Sequence, residues 1–198
     1  MRVRQAVTLV LVVGAALAAA APARAQKQGK SEGPYREGFW IGVGLGYGSA
    51  TISCSECMDN SRYGAATVSL RMGGTPSRQL LVGGEVDAWS RTSSDVTETV
   101  GDVSGVVLFY PSSTGTFFIK GGVGGVVYDA NTSPKLETSG FGVSIGVGID
   151  LYLGHRFSLT PYASYVTALS GTVKIGGSDT GYEAKPNLIV VGLAATWH

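Results

Sequence analysis

The feature that most constrains this chain is an alternation of large apolar residues with small or polar ones. It is clearest over residues 141–151, read as "FGVSIGVGIDL". The odd positions there carry Phe141, Val143, Ile145, Val147, Ile149 and Leu151, and the even positions carry Gly142, Ser144, Gly146, Gly148 and Asp150. Successive side chains of a β-strand point to opposite faces, so a period of two predicts a strand with one apolar and one nearly bare face.

The same alternation returns in seven other segments, which together predict eight strands. These segments read "FWIGVGLGYGSAT", "AATVSLRMG", "LLVGGEVDAW", "GDVSGVVLFY", "TFFIKGGVGGVVYD", "FSLTPYASYVT" and "NLIVVGLAATWH". Two of them are less regular. In the fourth strand Leu108 falls on the polar parity, and in the seventh Pro161 removes a ladder donor and predicts a bulge or distorted pairing.

The connections between these segments alternate in length. Short turns are predicted at 75–78, 111–115 and 154–156, and longer polar loops at 53–63, 92–98, 129–139 and 170–186. An even number of antiparallel strands with short turns at one end and long loops at the other is typical of outer-membrane barrels. The sequence therefore predicts an all-β fold, an eight-stranded antiparallel up-and-down transmembrane β-barrel.

The first 25 residues are a separate unit. Arg2 and Arg4 precede an apolar run that ends in an Ala-x-Ala cleavage signature at residues 23–25, which predicts a cleaved secretory signal peptide over 1–25. A short segment, 26–37, and the barrel, 38–198, follow. Three of the 15 basic residues lie in the signal, so 12 remain against 14 acidic residues, a balance of −2. This charge gives no electrostatic basis for binding nucleic acid.

The polar parity decides which face is outside. It carries charges among glycines and small residues, and we expect a lumen charge network of Arg71, Glu85, Asp87, Lys120 and Asp150. A soluble lipocalin-like carrier needs the apolar face inside, and its outer face would then be unusually rich in glycine. A membrane barrel with an apolar exterior fits better, because eight strands leave room inside only for side chains. We expect the lumen to be plugged by paired charges; a narrow pore is the alternative.

Aromatic residues collect at the short-turn end of the predicted strands. Aromatic side chains of membrane barrels form girdles at the two interfaces. We therefore expect one girdle, on the periplasmic side, formed by Phe39, Trp40, Phe109, Phe117, Phe157 and Trp197.

From about Gly38 to His198 the chain resembles the outer-membrane β-barrel family of the eight-stranded OmpA and OmpX type. The segments that carry the resemblance are "GFWIGVGLGYG", "LFYPSSTGTFFIKGGVG" and "GLAATWH". It implies a Gram-negative-type outer membrane, periplasmic short turns and termini, and extracellular long loops. It also implies contact with outer-membrane lipids and lipopolysaccharide, and folding by the barrel-assembly machinery. The family's assembly signal tends to end in an aromatic residue, whereas here Trp197 is penultimate. The resemblance is to the barrel alone, without the peptidoglycan-binding domain that some members of the family carry.

Three residue types, cysteine, serine and histidine, carry candidate chemistry. Cys54 and Cys57 lie in the first long loop and favour a local disulfide, with a redox pair or half a metal site as alternatives. Ser144 lies in "GVSIG", but a nucleophile elbow needs a strand that breaks into a helix, and the alternation continues past it. His155 and His198 fall at the short-turn end, away from the outer leaflet where a lipid-modifying enzyme would need a base. We expect no enzyme activity, cofactor or metal, and a structural or surface-interaction role with a possible extracellular partner for the loops.

Overall fold

The computed structural model of the chain describes residues 36–54 and 62–198, which form ten β-strands. They are β1 (Gly38–Cys54), β2 (Tyr63–Ser77), β3 (Leu80–Ser93), β4 (Val96–Phe109), β5 (Phe117–Ala130), β6 (Leu136–Ile149), β7 (Leu151–Tyr152), β8 (Phe157–Ala168), β9 (Thr172–Ile175) and β10 (Ser178–Trp197). Over these two ranges no helix is long and apolar enough to cross a membrane. The predicted signal peptide and Cys57 lie outside the described residues.

The strands form one closed antiparallel ring. Neighbours in sequence pair from β1 to β6, β8 and β9 pair with both β6 and β10, and β10 pairs with β1. The short strand β7 continues β6 along the edge of β8 in the same register, and β9 continues β8. The ten segments therefore make eight wall strands, and the predicted fold class is confirmed.

The register of the ring is staggered by ten residues. Following paired residues once around the barrel from Phe39 leads back to β1 at Ser49. Ten residues over eight strands correspond to a strand tilt of about 40° from the barrel axis. Because the stagger is even, a face that points outward on one strand meets an outward face on every neighbour. The apolar faces thus join into one continuous surface.

That apolar surface is on the outside of the barrel. Leu45 is 67% exposed and Ile145 62%, whereas Ser144 between the apolar positions of β6 is 2% exposed. On β1 the outward positions are apolar from Phe39 to Tyr47 and become polar at Ser49. Ten residues at this tilt cover about 25 Å of the barrel axis, the height of the apolar band in outer-membrane barrels. This arrangement is the opposite of a carrier with an apolar interior.

The inward side chains form three layers along the axis, which strand β3 crosses in order. Leu81 belongs to an apolar cluster near the short turns, Glu85 and Asp87 lie in the middle, and Trp89 belongs to a second apolar cluster toward the loops. The first cluster is Trp40, Leu81, Val106, Leu108, Tyr110 and Phe118. The irregular position of Leu108 in the sequence alternation is therefore an inward apolar position of this layer.

The loop-end connections are shorter than predicted. The expected loop 92–98 is a tight hairpin, in which Ser94 (φ 48°) and Asp95 (φ 69°) are both left-handed, the backbone of the two-residue turn that suits strand twist. The expected loop 170–186 contains β9 and the start of β10, joined at Gly176 (φ 59°) and Gly177 (φ 86°). Both segments are rich in polar residues, so hydrophobic alternation did not reveal that they form strands.

Two adjacent glycines of β5 test the assignment of faces. A Cβ at Gly122 would lie 2.9 Å from Cγ1 of Val106 and 3.1 Å from the carbonyl oxygen of Gly105, whereas a Cβ at Gly121 would meet nothing within 4 Å. We expect Gly122→Leu to lower the free energy of unfolding by about 3 kcal/mol through overpacking. Gly121→Leu, on the outer face, should change it little. Urea unfolding in lipid vesicles measures both, and equal effects of the two variants would contradict the assignment.

Candidate functional sites in the barrel interior

The middle layer is built around Glu85, which contacts two cations. Arg71 and Glu85 are directly opposite each other on β2 and β3, with Arg71 Nε 3.8 Å from Glu85 Oε2. Lys120, reaching in from β5, forms a hydrogen-bonded ion pair with Glu85 Oε1. The three side chains are at most 3% exposed. Removing one partner of such a pair leaves a buried charge that neither water nor protein compensates.

Two aspartates complete this layer. Asp87 and Asp102 are opposite each other on β3 and β4, and Ser104 Oγ donates to Asp102 Oδ2 at 2.8 Å. Carboxylate oxygens of Glu85, Asp87 and Asp102 lie within 4.8 Å of one another. Since Arg71 and Lys120 already pair with this group, the set fits an ion-pair network better than a metal site. Asp102 was missing from the predicted network, although its inward parity in β4 pointed to it.

Asp150 was predicted to share one lumen charge network with Arg71, Glu85, Asp87 and Lys120; it is buried in the interior, but its contacts are with other residues. Its carboxylate accepts hydrogen bonds from Tyr110 OH and Thr160 Oγ1, each 2.7 Å, and lies 3.7 Å from His198 Nε2. The wall is interrupted at this point, because β6 ends at Ile149 and β7 begins at Leu151. Asp150 thus lies at the short-turn end of the barrel, several residues below the level of Glu85.

Around Asp150 the structure gathers a second polar site, the base cluster, defined as Arg36, Tyr110, Asp150, Thr160 and His198. Arg36 is 0% exposed and donates to the carbonyl oxygens of Gly115 (2.8 Å) and Ser113 (2.9 Å). Its guanidinium carbon lies 3.8 Å from the centre of the Tyr110 ring.

The sequence analysis located one member of the base cluster, His198, at the short-turn end, but it did not predict another, Arg36. Burial lowers the pKa of His198, although the neighbouring Asp150 carboxylate opposes that shift. Arg36 was not predicted because it precedes the first strand and belongs to no periodic pattern. Its only sequence signal is a charge close to the first strand, which is common in ordinary loops.

The predicted aromatic girdle needs one correction. Phe39, Phe109, Phe117 and Trp197 are 42–52% exposed on the outer face, and Phe157 is partly exposed. Trp40 is 0% exposed and lies inside, where its Nε1 donates to the Gly74 carbonyl oxygen at 3.2 Å. Parity explains this, because Trp40 shares its face with Gly42 and Gly44, and the glycines leave space for a large neighbour.

The remaining candidates lie apart from one another. Ser144 is inward in the unbroken strand β6, and His155 is exposed in the turn that follows β7. The interruption in β6 after Ile149 lies opposite Pro161, while on the other side Pro161 keeps its register with Leu193. The described structure therefore does not bring Ser144 near either histidine.

A third set of polar contacts lies at the loop end, above the apolar surface. Arg91 stacks on the Tyr63 ring at 3.8 Å and lies 3.8 Å from Glu98, which accepts a 2.8 Å hydrogen bond from Tyr128 OH. Outside, Lys135 pairs with both Asp129 and Glu137. Hydrogen bonds to these two carboxylates raise the pKa of Lys135. These contacts order the loop-end rim.

Removing the cation at Lys120 tests the middle layer. Lys120→Met leaves Glu85 with only the longer contact to Arg71, and we expect a loss of about 3 kcal/mol in the free energy of unfolding. Adding Glu85→Gln to the same chain removes the uncompensated charge and should restore most of the loss. Lys174→Met, at an exposed loop-end position, is the matched control. Wild-type stability of Lys120→Met in the same urea titration would show that the network carries no such energy.

Solved structures of other proteins share this architecture, although the sequence itself finds no match. The sequence matches no protein-family model and no curated protein. The structure is similar to that of Ail, the attachment invasion locus protein of Yersinia pestis, with a TM-score of 0.53 at 15% identity, covering 81% of this chain and 99% of that one. Neisserial surface protein A gives 0.53 at 9% identity, covering 79% and 95%. At these identities the likeness concerns the fold, an eight-stranded barrel of the outer-membrane type.

Proposed function

We propose that this chain is an integral outer-membrane protein whose closed barrel is a scaffold for surface contacts made by its loop end. The observation that carries the proposal is the combination of an apolar outer surface about 25 Å tall with an interior occupied by side chains at three levels. A transport channel of this size would need a continuous polar path. Here Trp40, Leu81 and Phe118 below the charges, and Trp89, Val126 and Leu188 above them, are each at most 1% exposed.

The charges of the middle layer support a plug in preference to a pore. Glu85 forms an ion pair with both Arg71 and Lys120, and eight strands leave an interior only wide enough for side chains. Buried ion pairs of this kind fix which strands face each other, since any slip in register separates the partners.

The orientation that we propose follows the two ends of the barrel. The short-turn end, with both described chain ends and the outward Phe39, Phe109 and Trp197, faces the periplasm. The loop end faces the cell exterior. Lipids, including lipopolysaccharide, contact the apolar surface, and the barrel-assembly machinery folds the chain, with the outward Trp197 taking the place of the terminal aromatic residue.

A surface role is supported by how far the wall continues beyond the apolar surface. A transmembrane strand needs about 9–11 residues, whereas β10 has 20 and rises with β9 into a hairpin. Tyr182 is 58% exposed in this extension. Rigid scaffolds that carry exposed extensions are suited to binding, so an extracellular partner for the β9–β10 hairpin is part of the proposal.

Planar-bilayer recording of the purified mature protein distinguishes the closed scaffold from a pore. We expect no discrete conductance steps from wild type, because three layers of side chains block the axis. Insertion is verified in the same sample by the faster gel migration of the unheated barrel. A variant with Trp89, Val126 and Leu188 all replaced by Ala, which thins one layer, is the comparison. Salt-dependent unitary openings of the wild-type protein would overturn the closed reading in favour of a pore.

A further inference from the structure

The base cluster contains a group that belongs to no strand. Arg36 and Glu37 precede β1, and the backbone turns between them and the strand at Gly38, whose φ is +80°. That left-handed conformation is available to glycine at little cost. The turn directs Arg36 beneath the barrel, where it is 0% exposed, while the neighbouring Glu37 stays outside in an exposed pair with Arg78 at 3.1 Å.

The contacts of Arg36 span the base. Its NH1 donates to the Gly115 carbonyl oxygen at 2.8 Å, and its NH2 to the Ser113 carbonyl oxygen at 2.9 Å, so it holds the β4–β5 turn. The guanidinium also lies over the ring of Tyr110, whose hydroxyl donates to Asp150. Tyr110 thus meets the cation with its ring face and the anion with its hydroxyl, the arrangement that favours each.

We infer that Arg36 is a removable seal over the periplasmic end of the barrel, set in place by the turn at Gly38. The side chains that fill the rest of the interior belong to strands of the wall, and the backbone of a wall strand cannot move away without breaking the ring. Among the described residues, Arg36 donates to the carbonyl oxygens of the β4–β5 turn and lies over the Tyr110 ring, and it belongs to no strand ladder. Its withdrawal would uncover Tyr110 and the polar side chains that adjoin it through Asp150, which are Ser158, Thr160 and Thr196.

A thiol reporter at Ser158 measures the seal. Ser158 is 0% exposed and begins the inward face of β8, and Cys at this position is close in size to Ser. The native Cys54 and Cys57 are first replaced by Ser. The folded full-length mature chain in detergent is then treated with a small polar maleimide, and the labelling rate of the Ser158→Cys protein is compared with and without Arg36→Ala.

We expect Arg36→Ala to raise the labelling rate at least tenfold, and Gly38→Ala, which disfavours the turn without touching the charge, to raise it as well. Arg78→Ala breaks the exposed pair next to the seal and should leave the rate unchanged. The shift in gel migration on heating shows that each variant is folded, and Gly38→Ala provides the test if Arg36→Ala does not fold.

The inference is overturned if the folded variants label as slowly as the parent while the urea-unfolded chain labels fully. It is also overturned if the parent already labels at the rate of Arg36→Ala. An acceleration by Arg36→Ala alone would contradict the role of Gly38. None of these outcomes depends on the bilayer recording, because the middle and loop-end layers remain intact in every variant.

Discussion

Closure of the ring with an even stagger is the constraint on which the rest of this structure depends. A strand that lies in hydrocarbon cannot leave backbone N–H and C=O groups unpaired, and a closed ring pairs all of them. Closure by an even number of residues then assigns each position permanently to the inside or the outside. The return from Phe39 to Ser49 is therefore what makes one surface apolar and the other a packed interior.

The abundance of glycine follows from the narrowness of that interior. Large inward side chains are accommodated because residues opposite them lack a Cβ. A Cβ at Gly192 would lie 2.7 Å from Cζ of Tyr162, and one at Gly48 would lie 3.0 Å from Cδ1 of Trp89. Glycines on β1 and β10 thus face aromatic residues from β3 and β8. Inward glycines such as these make room for large side chains in a barrel of eight strands.

The sequence predicts which face of a strand a residue lies on, because the alternation of side chains sets it. It does not directly predict how high along the barrel axis the residue lies. The inward face of β6, including Ser144, and the grouping of Arg71, Glu85, Asp87 and Lys120 follow from alternation together with antiparallel order. Height along the axis is harder to read, because it requires the register of every ladder. For that reason Asp150 was grouped with charges that it does not meet.

Other features carry no periodic signal. The turn at Ser94–Asp95 depends on two left-handed residues that are not glycine, and a polar segment of that kind reads as a loop. Arg36 lies before the first strand, and only the fold shows that its side chain turns under the barrel. Trp40 was predictable from its parity, but its aromatic character suggested an interfacial position that the inward face does not allow.

The central claim, that the large residues of each strand face lipid and the small residues face a packed interior, is tested most directly along β6. Single cysteines at residues 141–149, in a chain with Cys54 and Cys57 replaced by Ser, carry a fluorophore in vesicles that contain brominated lipid. The account predicts strong quenching at 141, 143, 145, 147 and 149 and weak quenching at the even positions between them, a period of two in register with the exposed side chains. Quenching at the even positions, or no alternation, would contradict it.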